Sequence, residues 1–111
     1  MAIKHTSEIN FKVGLDENKV PETIFWTAED GGIDDSESKA IMISVWDHLQ
    51  KDTLRMDLWT KDMPVDEMKQ FFHQTLVSMA NTFERATDDQ KMGATMKDFC
   101  DYFAEKLELK K

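Results

Sequence analysis

One cysteine, two prolines and four glycines stand in a chain of 111 residues. A lone cysteine, Cys100, excludes an internal disulfide. It falls on an apolar helix face, where it reads as a small buried hydrophobe. So little Gly and Pro, with 41% hydrophobic residues, argues against disorder except at the ends. No apolar run approaches transmembrane length, and Met1–Glu8 lacks the apolar core of a signal peptide. A soluble, cytoplasmic chain is therefore expected. Basic charge is also scarce: 14 Lys and Arg against 22 Asp and Glu give a net charge of −8. Phosphate binding needs cationic side chains to displace counterions, and anionic lipid repels an acidic domain. This disfavours nucleic acid and membrane as partners and favours basic protein segments.

Chemistry-bearing patterns are missing too. There is no phosphate-binding glycine loop, no Gly-x-Ser-x-Gly and no His-Glu-x-x-His. His5, His48 and His73 fall on a tail, a turn and a helix, without ligand spacing. The expectation is a non-enzymatic protein with no catalytic, cofactor-binding or metal-ligating residue.

What is present is a change of period. Leu54, Met56 and Leu58 alternate with Arg55, Asp57 and Trp59, the period of two of a strand with one buried face. From Pro64 the apolar residues Val65, Met68, Phe72, Leu76, Met79 and Phe83 recur every three or four, the period of a helix. Upstream, Ile9, Phe11, Val13 and Leu15 alternate in a first strand. A second runs over about 22–28 after Pro21, a third over about 39–47 and a fourth over 53–60. The third and fourth are close enough to pair as a hairpin. Asp62 or Met63 is expected to cap the first helix, with Pro64 in its first turn. Thr87 and Gln90 match a capping box that starts a second helix, with the stripe Met92, Met96, Phe99, Phe103 and Leu107. Lys106, Lys110 and Lys111 suit its negative end. The reading is one α+β domain over 1–111: a frayed start over 1–6, a four-stranded antiparallel sheet over 8–60 and a helical pair over 64–109.

Two features suggest contact with other proteins. Phe25, Met42, Trp46 and Trp59 point opposite to the aliphatic set, so both faces of the sheet are apolar. Either that aromatic face meets a partner, or the helices cover it and the aliphatic face is shared with another subunit. A homo-oligomer, dimer or tetramer, is expected. Met56, Met63, Met68, Met79, Met92 and Met96, most of them in or beside the helices, read mainly as core filler and otherwise as an adaptable client-binding surface. The acidic stretch Glu29, Asp30, Asp34, Asp35 and Glu37 reads as a loop around Gly31-Gly32, either solvated or a docking site for a basic partner. Its spacing does not match a calcium loop.

The run Thr53-Leu54-Arg55-Met56-Asp57-Leu58-Trp59-Thr60-Lys61-Asp62-Met63-Pro64-Val65-Asp66-Glu67-Met68 and onward to Leu76 closely resembles the gliding-motility protein GldC family of Bacteroidota. So do Asp98–Leu107, Leu15–Glu22 and Ala28–Ile33. The resemblance spans about Thr6 to the C-terminus. It implies a small soluble protein that supports gliding motility, and it brings no catalytic motif. The order of four strands and then two helices is similar to the export chaperone SecB. That likeness implies a tetramer holding unfolded clients on apolar grooves, for exported or motility-related proteins.

Overall fold

The structure, a computed structural model, describes residues 2–109. It divides into two compact units, one ending at Met63 and the other starting at Pro64. The first unit carries five strands: β1 (Ile9–Leu15), β2 (Pro21–Ala28), β3 (Ile33–Ser38), β4 (Ala40–Trp46) and β5 (Thr53–Trp59). They form two antiparallel sheets, β1-β2-β3 and β4-β5. The expected single four-stranded sheet is thus corrected. A fifth strand, β3, lies in the acidic stretch read as a loop, and only Glu29–Gly31 there makes a single 3-10 turn. Residues 2–8 form no helix or strand, and His5 Nε2 lies 3.0 Å from Asp30 Oδ2. The rest of the expected frayed start, Met1, lies outside the described residues.

Register explains the faces. In β1 and β2, Phe11 sits opposite Trp26 and Val13 opposite Ile24, so the aliphatic face of β1 continues into β2. The Phe11 and Trp26 rings stack at 5.7 Å. Phe25 faces the other way, between Lys12 and Glu37. In β4 and β5, Ile41, Ile43 and Val45 oppose Leu58, Met56 and Leu54, an all-aliphatic face. The turns are built by carboxylates. Asp16 accepts from the Asn18 and Val20 amides at 2.8 and 3.0 Å, and Asp47 from the Gln50 amide at 2.6 Å. These Asx-type bonds replace ladder bonds where the chain reverses.

Only Lys39 separates β3 from β4. The residues after β5 hold this junction. The Thr60 amide donates to the Lys39 carbonyl at 2.8 Å, and the Lys61 amide to the Pro21 carbonyl at 3.1 Å. Thr60 is the one polar residue buried among those described, and its hydroxyl donates to Asp62 Oδ1 at 2.6 Å. Two lysines add charge pairs. Lys39 Nζ reaches Asp62 at 2.9 Å and Glu37 at 3.7 Å; Lys61 Nζ reaches Asp16 at 3.0 Å and Glu22 at 3.2 Å. The Val20 amide and then Lys61 hold the Asp16 carboxyl below its usual range; the Thr60 hydroxyl and then Lys39 do so for Asp62. The bond to Asp16 raises Lys61, and the bond to Asp62 raises Lys39.

The second unit is a helical hairpin, α1 (Val65–Thr87) and α2 (Gln90–Lys106). Pro64 is itself the N-cap of α1, because the Asp62 side chain is committed to Thr60 and Lys39. The expected capping box is also displaced. Thr87 is the last residue of α1, its hydroxyl donating to the Phe83 carbonyl, and Asp89 caps α2 by accepting from the Met92 amide at 3.0 Å. Asp88 between them takes a left-handed conformation, φ 58°, that reverses the chain. The helices meet on small residues: Ala80 from α1 and Gly93, Cys100 and Ala104 from α2 are buried. The Lys97–Glu84 ion pair (2.9 Å) and the His73–Phe103 stack (6.1 Å) flank that line. Burial raises the Cys100 thiol pKa, with Asp101 adding to it. Lys106 ends α2 as expected; Lys110 and Lys111 lie outside the described residues.

Two predictions follow from these contacts. A Cβ at Gly93 would overlap the Glu84 side chain. Gly93→Leu is therefore expected to destabilise the protein by about 1–3 kcal/mol through overpacking, read as a lowered urea midpoint. For pH, the depressed Asp16 and Asp62 carboxyls stabilise the fold above their ordinary value of 3.8, and that contribution is lost as pH falls through their lower folded values. The raised lysines stabilise it below 10.5 and lose this as pH rises through their higher folded values. Urea midpoints should thus fall at the acid end, less steeply in Lys61→Met and in high salt. An acid limb identical in wild type and Lys61→Met would show that the Lys61 pairs contribute nothing.

Candidate interaction surface

Expected contact residues fall on both sheets. Met42, Trp46 and Trp59 share one face of β4-β5, as their alternation requires. Trp46 is opposite Thr53 at one end of the ladder and Trp59 opposite Ala40 at the other. Six residues of strand separate the two positions, about 20 Å at about 3.4 Å per residue. Polar residues occupy the middle: Arg55 donates to the Ser44 hydroxyl and to Asp57 Oδ1, the latter at 2.7 Å. Trp46 is 63% exposed and Trp59 55% exposed, while Met42 and Phe25 are half-buried. The tryptophans are therefore two exposed aromatic side chains flanking a ladder of Ser44, Arg55, Asp57 and the half-buried Met42. Phe25 lies on the other sheet, beside Lys12 and Glu37.

The aliphatic face is only partly closed. Ile24 and Ile41 are buried, but Ile9, Phe11, Leu15, Val45, Leu54 and Met56 are exposed. Eleven large apolar side chains of the sheet unit are exposed among the described residues, against those two buried ones. Water contact at that scale is unfavourable by roughly 25 cal/mol per Å², so the surface gains from any apolar partner.

The acidic residues split by structure. Glu29 and Asp30 lie on the 3-10 turn, and Asp34, Asp35 and Glu37 on β3, an edge strand of its sheet. Asp35 has φ 48° and its amide donates to the Thr27 hydroxyl at 3.0 Å, where the β2-β3 register shifts. Ser7 and then His5 hold the Asp30 carboxyl below its usual range. A surface cleft of about 240 Å³ opens here, lined by His5, Ser7, Glu8, Asn10, Thr27 and Asp30. Among the described residues no three His, Cys, Asp or Glu side chains gather as a metal-binding group.

The helices hold apolar surface that periodicity alone assigns to a core. Phe72, Met79, Met92 and Phe99 are exposed, and none of the methionines among the described residues is buried. The core reading is thus corrected for Met79 and Met92, because Ala80, Gly93, Cys100 and Ala104 fill the seam instead, while Met68 and Met96 are half-buried. The signal was available in the sequence: small residues at 93, 100 and 104 follow a helical spacing of seven and four.

No helix among the described residues is long and apolar enough to cross a membrane. Neither a curated protein nor a solved structure matches the chain. Residues 21–109, covering the split sheet from β2 onward and both helices, match the family described as gliding motility-associated protein GldC-like. The chain belongs to this GldC-like family.

Proposed function

We propose that this chain is a non-enzymatic accessory protein of gliding motility, located in the cytoplasm, that works through protein–protein contacts as a homo-oligomer. The family match sets the biological context. The observation that carries the contact role is the open apolar surface of each unit. The sheet unit leaves Trp46, Trp59 and an aliphatic set exposed, and the helix unit leaves Phe72, Met79, Met92 and Phe99 exposed. Trp and Met at such sites anchor interfaces because they bury much area or adapt their shape. The acidic residues Glu29, Asp30, Asp34, Asp35 and Glu37 complement a basic segment of a partner. Asp30 and Glu37 already face His5 and Lys39, which leaves Glu29, Asp34 and Asp35 to carry most of that attraction.

A second reading, a SecB-like holding chaperone for exported or motility-related clients, draws on the exposed methionines Met56, Met79 and Met92, since Met-rich surfaces accept varied apolar chains. The two readings separate in a competition assay. A denatured, unrelated protein displaces clients from a holdase and leaves a dedicated partner in place.

Trp46→Ala with Trp59→Ala tests the contact surface. Both side chains are largely solvated, so the fold should lose at most about 1 kcal/mol. Partner capture or assembly should fall at least about tenfold, as for central aromatic anchors. A double variant that unfolds would make the tryptophans structural. One that keeps full binding would remove them from the interface. Light scattering on a size-exclusion column is expected to give a multiple of the 12.9 kDa chain mass; the mass of one chain would refute self-association.

A further inference from the structure

The helical hairpin carries one continuous, uncharged face. At about 100° per residue, Phe72 and Met79 are offset by about 80–100° from Ala80 on the seam of α1. Met92 and Phe99 are offset by the same angle, in the same sense, from Cys100 on the seam of α2. In an antiparallel pair, equal offsets of the same sense fall on one side of the hairpin. Both exposed stripes therefore share a face, with the half-buried Met68, Leu76, Phe83, Met96 and Phe103 beneath or between them. In a chain with 32% charged residues, this face carries no charge from Val65 through Phe103; the first is Lys106, at the end of α2.

We propose that this face docks against the same face of a second copy, the two hairpins packing across a two-fold axis as a four-helix layer. The inference rests on the self-association proposed above and names where the copies meet. Size supports it. The helices are about 35 and 26 Å long, and a pair is about 20 Å wide, a flat footprint of roughly 600 Å². A standard interface needs about 800 Å² of accessible surface per partner, and a side-chain surface exceeds its flat projection. Charge supports it as well. Two copies of a −8 chain repel, but this face brings no like charges together. A basic partner gains nothing from an uncharged face. Composition adds a third reason. The face holds both Phe and Met, so a two-fold can set thioethers against rings, a favourable contact in itself.

The test uses the full chain in two ways. Light scattering of wild type and of Met79→Glu with Phe99→Glu comes first, with circular dichroism confirming that the variant remains helical. The expected result is an oligomeric wild type and a variant shifted to the 12.9 kDa mass of one chain. The second measurement is the alkylation rate of Met79→Cys in a Cys100→Ala background, with Ser78→Cys on the far side of α1 as control. The rate at position 79 should fall at least tenfold from low to high protein concentration, while that at position 78 stays constant. An oligomer that survives the charge variant, with labelling at 79 independent of concentration, overturns this interface and leaves self-association standing. A wild type that is monomeric throughout overturns both. Protection at position 79 that is equal at all concentrations means that the chain's own sheet or another bound segment covers the face, and the proposal fails. If the glutamates unfold the variant, the alkylation series alone decides.

Discussion

The carbonyl of Lys39 is the point on which the sheet unit depends. One nearly continuous run, Ile33 to Trp46, serves both sheets, and only at Lys39 does it leave one ladder for the other. An interrupted strand exposes backbone groups that must find partners, because an unpaired buried amide or carbonyl costs about as much as a lost hydrogen bond. Thr60 supplies the amide for Lys39, and Lys61 extends the same segment to Pro21. The side chains of these residues then set the charges. Lys39 and Lys61 each sit between two carboxylates of different elements, which draws the end of β5, the start of β2 and the turn at Asp16 together. Such exposed pairs contribute little individually. Their value is positional, since they join segments far apart in the chain.

Each unit builds its own close contacts from little apolar volume: Ile24 and Ile41 in the sheet unit, Ala80, Gly93, Cys100 and Ala104 in the helices. Small residues at the helix seam let the backbones approach, but they displace the large side chains sideways. The hairpin is therefore well joined and still presents Phe and Met outward. The same economy holds on the sheet, where a polar ladder of Ser44, Arg55 and Asp57 separates two exposed tryptophans. Membership of the GldC-like family gives these surfaces a gliding-motility context.

Much of this was legible in the residues. Alternation placed β1, β2, β4 and β5 to within a residue or two, and the three-to-four spacing placed both helices. β3 was not legible, because Ile33-Asp34-Asp35-Ser36-Glu37-Ser38 has no apolar alternation. It is an edge strand paired to one neighbour, so Asp34 to Glu37 remain solvated and their polar character costs little, while Ser38 Oγ is buried without a hydrogen-bond partner among the described residues. The caps went astray for a related reason. Thr87 and Asp62 are both good capping residues, but each had a competing bond nearby: the Phe83 carbonyl for one, Thr60 and Lys39 for the other.

The sequence by itself determined four of the five strands, both helices, the acidic character, the alternation of apolar residues along the strands and the family likeness. These follow from period, charge and residue order, which are properties of neighbours along the chain. Only the tertiary structure decided that the strands divide between two sheets at Lys39, that the tryptophans stand about 20 Å apart and that Met79 and Met92 of the helices stay in solvent. Those outcomes depend on register and on which residues fill a seam, and both are settled by contacts between segments distant in sequence. A period assigns a side chain to a face, but it carries no information about what lies against that face.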